Sequence, residues 1–412
     1  MAASAEPGGP STTLDVFDPA LRADPFPAYR ALRAAGPVHP TGIGIYLVPR
    51  YAECDSVFGD PTWGHGYFAG INPFRPGVDP HQLPGSFLLM DPPDHTRLRG
   101  LVSKAFTPRA VAALRPRITK VVDELLDAAI GAGEVDIVSA LAYPVPLTTI
   151  CQLLGVPPED HVLFGSWARD LSRGLDPDGV LTESEKAARA IAVRHFAEYF
   201  TELIAQRRRQ PADDLLSALA QASEGTDSLS DKELVDIGVL LLIAGHETTM
   251  NLIAGGVLAL GRHPDQWALL RSDPELVPLA VEEFLRYDTP VPFPTRVAMR
   301  DTELGGRPMP RGTGVILLAG SANHDEAAFP DPERLDVTRF HQDNRTNRHL
   351  AFSHGPHFCL GAPLARLEAE ITFDRLARRA KEITVLTDQP VYRPSISMRG
   401  PESVPVRIEV AG

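Results

Sequence analysis

The chain has 412 residues, of which 43% are hydrophobic and 23% charged, as in ordinary globular proteins with ample core material. Its formal net charge of −13 argues against non-specific nucleic-acid binding, which needs a basic surface. The three cysteines, Cys54, Cys151 and Cys359, are odd in number and far apart. They therefore form no disulfide framework, and a reducing cytoplasm is the better expectation.

The N-terminus carries no sign of a signal peptide. Residues 1–13 have neither a basic segment nor an apolar one, so we expect a disordered tail, followed by one domain over residues 14–412. The longest apolar run, "IGVLLLIAG", is half the roughly 18 residues that a membrane span requires. We expect a cytoplasmic protein that binds neither membrane nor nucleic acid.

The predicted elements are mostly helices. In chain order, the patterns predict a strand near residue 45, helices over 110–132, 183–209 and 231–260, a strand near 315, a helix over 363–381, and strands near 383 and 406. Two long loops, residues 61–90 and 323–350, resist a regular assignment. The pattern predicts a mainly α fold with small β-sheets.

The first loop, residues 61–90, is rich in glycine and proline and carries the aromatic residues Tyr67, Phe68 and Phe74. Loops of this length in compact proteins are often functional. A surface excursion whose aromatic side chains merely cover the core is equally compatible with the sequence.

The segment "DPPDHTRLR" places His95 and Arg99 four residues apart on one predicted helical face. Two hydrogen-bond donors on one face suit a carboxylate or a phosphate. For a pair considered alone, a solvated basic face is the more frequent explanation.

The longest predicted helix has a polar interruption. Ser230 and Glu233 have capping-box spacing, and the helix is apolar nearly all round, so it should be buried. Its middle nevertheless reads "GHETT", with Glu247 and Thr248. This interruption indicates either a bent helix with a hydrogen-bonded glutamate or an acid and an alcohol that relay protons beside a buried cofactor.

Two further polar patterns are ambiguous in isolation. Glu283 and Arg286 share a helical face, which by default is a surface ion pair and, if buried, a structural clamp. The segment "HLAFSHGPHFCLGAPLAR" contains three histidines and Cys359 within eleven positions. It is compatible with a zinc site, a cofactor ligand or a polar loop before a helix.

Together and in this order, these segments resemble the cytochrome P450 family. "FSHGPHFCLGAPLAR" resembles its cysteine-ligand loop, "AGHETT" its acid–alcohol segment, and Glu283-x-x-Arg286 its ExxR motif. "FPDPERLDVTRF" resembles the meander whose arginine completes the clamp, assigned here to Arg334, and "DPPDHTRLR" the helix that grips the haem. The resemblance runs from about residue 14 onward, with Ser353 standing where the family most often has glycine.

The resemblance implies a cytochrome P450 fold, with a long distal helix over a haem b and the cysteine loop on the proximal side. Cys359 would be the axial thiolate of the haem iron, close to the N-terminus of the following helix, where an anion is favoured. Glu247 and Thr248 would be the catalytic acid and alcohol. The other residues implied to contact the cofactor are His95, Arg99, Arg296 and His357 at the propionates, with Phe352, Gly361 and Ala244 near the ring or sulfur.

The implied activity is insertion of one oxygen atom from O2 into a hydrophobic natural product, such as a macrolide, terpenoid or steroid, by hydroxylation or epoxidation. Peroxide-driven catalysis, a non-catalytic haem sensor and a colourless zinc enzyme are the alternatives. The implied substrate pocket comprises Leu240, Ile243, Ala244, Val291, Phe293 and Ile396.

The resemblance also implies external electron carriers, because the sequence has no flavin, nicotinamide or iron–sulfur motif. We expect a ferredoxin and a ferredoxin reductase, with NAD(P)H used only indirectly, and a monomeric enzyme. An acidic ferredoxin would dock on a basic patch formed by Arg97, Lys104, Arg109, Arg345 and Arg348.

Overall fold

The computed structural model describes residues 16–41, 44–75, 87–176, 178–222, 229–344 and 346–410. The expected tail, part of the first long loop and Arg345 lie outside these ranges. The helices are α1 Phe26–Ala35, α2 Tyr51–Gly59, α3 Asp94–Ser103, α4 Pro108–Ala113, α5 Arg115–Ala132, α6 Pro144–Leu154, α7 His161–Arg173, α8 Glu183–Arg209, α9 Leu215–Ala222, α10 Asp231–Arg262, α11 Pro264–Ser272, α12 Val277–Tyr287, α13 Ala319–Ala322 and α14 Ala362–Arg379.

The strands are short and lie beside the helical core. They are β1 His39–Pro40, β2 Ile45–Val48, β3 Trp63–Gly64, β4 Glu134–Asp136, β5 Thr295–Ala298, β6 Thr302–Leu304, β7 Arg307–Met309, β8 Gly314–Leu317, β9 Ala380–Val385 and β10 Pro405–Val410. One sheet has the order β1-β2-β8-β5-β3, a second β4-β10-β9, and β6 pairs with β7. Within the first sheet, β2 and β8 are parallel.

Helix α10 is the axis of the core. Ser230 and Glu233 form the expected capping box at its start, and the helix packs against α6, α8, α12 and α14. An 18-residue window of α10 has a mean hydropathy of 1.4, enough to span a membrane by composition, but 78% of that window is buried inside the protein. Its apolar surface is therefore used in the core.

The Glu283–Arg286 pair is a buried clamp, and its third member differs from the one expected. Both side chains are fully buried, and Arg286 donates to both Glu283 carboxylate oxygens at 2.7 and 2.8 Å. The prediction that Arg334 completes the clamp is wrong: Arg339 Nε donates to Glu283 at 3.1 Å. Arg334 is exposed and offers only its backbone carbonyl, because the turn that begins at Asp331 directs its side chain outward.

Candidate active site

The loop that carries Cys359 is closed by its own backbone. The Cys359 amide donates to the Phe352 carbonyl at 3.0 Å, and α14 begins three residues after the cysteine. The Phe352 ring stacks under the guanidinium of Arg366, 4.6 Å away. The loop therefore presents Cys359 at the N-terminal end of a long helix, as the sequence predicted.

Two residues in this loop have left-handed backbone conformations. Gly355 has a φ of 69°, and a Cβ there would lie 2.4 Å from the Phe58 carbonyl oxygen, so only glycine fits. Ser353 has a φ of 57°, which is unfavourable for a residue with a Cβ. Glycine, which the family most often has at this position, would adopt this conformation at a lower energetic cost than Ser353 does.

The surroundings of the Cys359 sulfur act in two directions. Burial raises the pKa of the Cys359 thiol, while the amides of Gly361 and Ala362 and the guanidinium groups of Arg99 and Arg366 oppose this rise. Gly361 has an ordinary φ of −81°, so it contributes its amide and not unusual backbone freedom. Bonding to a metal ion deprotonates a coordinating thiol outright.

A basic cluster is assembled beside this loop from three separate parts of the chain. Strand β5 contributes Arg296, α3 contributes His95 and Arg99, and the cysteine loop contributes His357. The ring centroids of His95 and His357 are 4.1 Å apart, and Arg99 Nη2 donates to the Phe358 carbonyl. These four residues, widely separated in sequence, meet as the resemblance implied.

Sequence reasoning missed one member of this cluster, His65. Strand β3 pairs with β5 so that Gly64 faces Val297, which brings the next residue, His65, alongside Arg296. The His65 ring lies 4.6 Å from that of His357, and its Nε2 is buried with no hydrogen-bond partner in the part of the chain that the structure describes. No local pattern marks His65, because its position depends on pairing with a strand more than 200 residues away.

Burial and mutual repulsion lower the pKa values in this cluster. The pKa of His357 falls to about 3, first through burial and then through Arg296, His95 and Arg99. Burial lowers the pKa of Arg296 to about 10. Neither ring nitrogen of His95 has a hydrogen-bond partner among the described residues. Such a set of donors is suited to bind anionic groups.

Helix α10 presents one accessible stripe in its otherwise buried middle. Leu240, Ala244 and Thr248 follow each other at four-residue intervals and are exposed or half-buried. Thr248 Oγ1 donates to the Ala244 carbonyl at 2.9 Å, so its hydrogen is used within the helix and its oxygen lone pairs remain available as acceptors. This stripe is the face on which the acid–alcohol pair was predicted to act.

Glu247 precedes Thr248 in the helix, but its side chain is buried and does not belong to that stripe. It is 5% exposed, and its Oε1 is 3.8 Å from Arg393 Nη1 and 4.0 Å from His246 Nε2. His246 Nδ1 bonds to the Leu242 carbonyl within the helix, at 2.9 Å. Glu247 is therefore a buried carboxylate held by an ion pair.

The predicted pocket residues fall into two groups. Phe293 and Ile396 line a groove together with Phe17 and Leu21 from the N-terminal region. Leu240 and Ala244 lie instead on the accessible stripe of α10, whereas Ile243 is buried in the core and Val291 is half-buried. The described structure does not bring all six side chains to one surface.

The three histidines of the cysteine loop have different partners. His349 Nε2 lies 3.0 Å from Glu282, and His354 Nε2 lies 2.8 Å from the Asp55 carbonyl, whereas His357 faces the basic cluster. No group of three metal-ligating side chains occurs among the described residues. Cys359 and the histidines therefore do not converge as a zinc site requires.

The residues present fit the haem that the resemblance implies. One thiol stands at a helix N-terminus, and the basic cluster beside it contains buried, unpartnered imidazole nitrogens suited to propionates. An accessible apolar stripe on α10 supplies a non-polar surface for the ring. A haem with a thiolate ligand requires a sulfur ligand, hydrogen-bond donors for its propionate carboxylates and an apolar surface for its ring.

The expected basic patch is only partly available to a docking partner. Arg97 is ion-paired with Glu233, and Arg348 lies 2.8 Å from Asp55. Lys104 and Arg109 are exposed and form no ion pair with any residue that the structure describes.

Comparison with known proteins identifies the chain. The cytochrome P450 family profile matches residues 180–381. Vitamin D(3) 25-hydroxylase from Pseudonocardia autotrophica is 40% identical over 95% of this chain and 96% of the relative. The 6-deoxyerythronolide B hydroxylase of Saccharopolyspora erythraea is 38% identical over 97% of this chain and 100% of the relative.

A solved structure agrees with these relatives in fold. P450BioI, crystallised in complex with acyl carrier protein ligated to hexadec-9Z-enoic acid, has a TM-score of 0.87 at 34% identity, covering 95% of this chain and 99% of that one. Since relatives that are hydroxylases match along nearly their whole length, this chain belongs to the cytochrome P450 family and is a haem-thiolate monooxygenase.

Proposed function

We propose that the protein hydroxylates a hydrophobic natural product with electrons from a ferredoxin and its reductase, acting as a single domain over residues 14–412 in the cytoplasm. The observation that supports this most is that Cys359 lies just before α14, and that α14 packs against α10, the helix that carries the accessible Leu240–Ala244–Thr248 stripe. When bound, a thiolate-ligated haem supplies the activation of O2.

The residues around Cys359 would hold the cofactor in position. The sulfur would ligate the iron, and the Gly361 and Ala362 amides would stabilise its negative charge. His95, Arg99, Arg296 and His357 would bind the propionates, since charge-assisted hydrogen bonds to carboxylates are strong.

Glu247 and Thr248 would deliver protons to a cleft along the accessible stripe of α10. The Thr248 hydroxyl proton is committed to the Ala244 carbonyl, so its oxygen accepts a hydrogen bond from the cleft side. Glu247 is buried beside Arg393, where a carboxylate can exchange protons without admitting bulk water. Thr248 would therefore orient the group that receives the proton, and Glu247 would transfer the proton.

The substrate would be a moderately large apolar molecule. The accessible stripe in the middle of α10 is apolar except for Thr248, and apolar walls with a few polar groups favour such ligands. The similar hydroxylases are named for 6-deoxyerythronolide B and vitamin D(3), so a macrolide, terpenoid or steroid is the class to test first.

The decisive experiment combines spectra with turnover. We expect Cys359→Ser to lose the thiolate-type spectrum of the reduced carbonyl complex and all NADPH-dependent oxygenation, and Thr248→Ala to keep that spectrum but divert reducing equivalents to peroxide. Activity with peroxide alone and none with ferredoxin would overturn the proposed electron route. Thr248→Ala with unchanged product per NADPH would overturn the proposed proton route.

A further inference from the structure

The histidine that precedes the buried acid of α10 has one ring nitrogen without a partner. His246 is 0% exposed, and its Nδ1 lies 2.9 Å from the Leu242 carbonyl, one helical turn back. A carbonyl oxygen can only accept a hydrogen bond, so Nδ1 carries a hydrogen. The other nitrogen, Nε2, is buried with no hydrogen-bond partner among the residues that the structure describes. A buried polar atom left open in this way is unfavourable and requires an explanation.

The imidazole ring of His246 is neutral at neutral pH. Burial lowers the pKa of His246 by more than the neighbouring Glu247 raises it, and Arg393 lowers it further. Tyr143, which directly precedes α6, packs edge-on against the ring at 5.8 Å between centroids, and Arg169 of α7 acts electrostatically on Tyr143. Since the ring is neutral and Nδ1 carries its hydrogen, Nε2 is a hydrogen-bond acceptor and not a donor.

This acceptor faces the side chain of Glu247. His246 Nε2 and Glu247 Oε1 are 4.0 Å apart, too far for a hydrogen bond. When Glu247 is ionised, both atoms present lone pairs and repel each other. When Glu247 is protonated, its carboxyl group has an O–H to donate, and a rotation of the side chain brings that O–H to Nε2. A hydrogen on Glu247 therefore turns this contact into an attraction.

The ionised form of Glu247 has a different partner. Its Oε1 lies 3.8 Å from Arg393 Nη1. A buried acid that gains and loses a proton meets a cost in each state, namely an unpaired charge when ionised and an unpaired O–H when protonated. Arg393 removes the first cost. His246 Nε2 is placed to remove the second.

We propose that His246 is a positioning residue that accepts a hydrogen bond from protonated Glu247, so that each protonation state of the acid has a partner inside the protein. In proton delivery the O–H bond of Glu247 breaks, the proton passes to the cleft, and the carboxylate pairs with Arg393. A proton from solvent then restores the O–H, which again bonds to His246 Nε2. His246 keeps its single hydrogen on Nδ1 throughout. This inference rests on the proposed function of Glu247 and adds the residue that holds its protonated form.

Nitrogen NMR of the holoenzyme with isotope-labelled histidines, in its reduced carbonyl form, tests the contact without a substrate. We expect the His246 ring, identified by its loss in His246→Gln, to carry its hydrogen on Nδ1. In Glu247→Gln the amide can donate permanently, so the Nε2 resonance should move toward the value of a hydrogen-bonded nitrogen, relative to Glu247→Leu, which has no donor. A hydrogen on Nε2, or the same Nε2 resonance in both variants, would overturn the inference.

Turnover with the redox partners and a substrate that gives a measurable product supplies an independent readout. We expect His246→Phe to raise the ratio of peroxide to product by about fivefold, the effect of losing one neutral hydrogen bond. Phenylalanine keeps a ring to pack against Tyr143 but has no acceptor. His246→Gln loses the ring and keeps an acceptor, so it should restore part of the product yield. A role in packing alone predicts the opposite order of the two variants.

His263→Phe is the matched control. His263 follows the last residue of α10, its Nδ1 lies 2.8 Å from the Ala259 carbonyl, and its ring meets that of Tyr287 edge-on at 5.9 Å. It repeats the local contacts of His246 at the far end of the helix from Glu247, so the ratio of peroxide to product should stay unchanged. If His246→Phe folds poorly, the NMR comparison of the two Glu247 variants still decides the question.

The outcomes separate this inference from the proposed function. If Glu247→Gln uncouples the reaction but His246→Phe leaves the ratio of peroxide to product unchanged, Glu247 acts without His246 and only this inference fails. If Glu247→Gln leaves product per NADPH unchanged, the proposed proton route fails, and the role of His246 fails with it.

Discussion

Arg339 is the third member of the buried clamp, beside Glu283 and Arg286. Its guanidinium bonds to both oxygens of Glu283 and to the carbonyls of Pro330, Asp331 and Arg334. Arg334, five residues earlier, is exposed. The resemblance placed an arginine of this segment in the clamp, but the segment contains two, and only the fold shows which one turns inward.

Removing Arg339 should therefore cost far more stability than removing Arg334. We expect Arg339→Ala to lower the free energy of unfolding by about 3 kcal/mol, because it leaves part of the charge on Glu283 buried without a partner. Arg334→Ala keeps the backbone carbonyl of residue 334 and should change the free energy of unfolding by less than about 0.5 kcal/mol. Urea unfolding of the two haem-loaded variants measures both; equal losses would contradict the assignment of Arg339.

Ser353 carries backbone strain that glycine would relieve. We expect Ser353→Gly to raise the stability of the cysteine loop by about 1 kcal/mol, since a left-handed conformation costs roughly that much for a residue with a Cβ. Ser353→Ala is the control and should give no gain, because it keeps the Cβ. Thermal unfolding of the holo protein compares the three, and a gain in the alanine variant would point to the hydroxyl instead.

At the scale of elements, Glu282 joins α12 to both the cysteine loop and α14. Its carboxylate accepts two hydrogen bonds from Arg366, at 2.6 and 2.8 Å, and lies 3.0 Å from His349. Burial raises the pKa of Glu282, but the hydrogen bonds from Arg366 and His349 outweigh it, and the pKa falls to about 2. The ionised form thus stabilises the junction that positions Cys359.

This lowered pKa predicts a pH dependence of stability. A carboxyl whose pKa falls from 4.5 to about 2 on folding stabilises the protein above about pH 4.5, and this contribution is lost as the pH falls toward 2. We expect Glu282→Gln to destabilise the protein by about 2 kcal/mol at pH 7, allowing for solvent screening, and by progressively less in acid. Exposed Glu275→Gln should show no such trend, and a pH-independent deficit in Glu282→Gln would exclude the ionisation as its cause.

The sequence predicted long helices better than short strands. The helix over 183–209 is confirmed at both ends. Its start could be predicted because the Thr182–Glu185 capping box is local in the sequence. The helix expected over 110–132 is interrupted at Leu114, just before Pro116, and forms two helices. Strand β3 has two residues and exists only through its pairing with β5, so nothing in its own sequence indicates it.

At the scale of the whole molecule, the active site was easiest to predict where a residue stands in a recognisable motif. Cys359, Glu247 and Thr248 stand in motifs, and the structure places Cys359 in the loop before α14 and the other two in the middle of α10. His65 and Arg393 stand in none, because sheet register brings the first to the site and a hairpin brings the second. Resemblance identifies motif positions, whereas these two follow from tertiary pairing.

The contrast between the overall charge and a local basic patch gives a test of the proposed docking of a ferredoxin. On a chain of net charge −13, Lys104 and Arg109 are exposed and form no ion pair with the described residues, so they could attract the proposed acidic ferredoxin. We expect the reduction rate to fall as salt rises from low to physiological concentration, and Lys104→Gln to lower both the rate and its salt dependence. Lys104→Arg, which keeps the charge, is the control. Salt-independent reduction by an acidic ferredoxin would contradict docking on this patch.

The parallel pairing of β2 with β8 has a consequence for biosynthesis. The two strands are separated by about 270 residues, so at ordinary translation rates β2 emerges roughly 15 to 50 s before its partner. During that interval β2 can pair with β1 on one edge, but its other edge, next to the buried Leu47 and Val48, lacks the strand that pairs with it in the finished sheet. The nascent chain therefore exposes an unpaired strand edge until β8 has been synthesised, and this sheet can be completed only in the last quarter of synthesis.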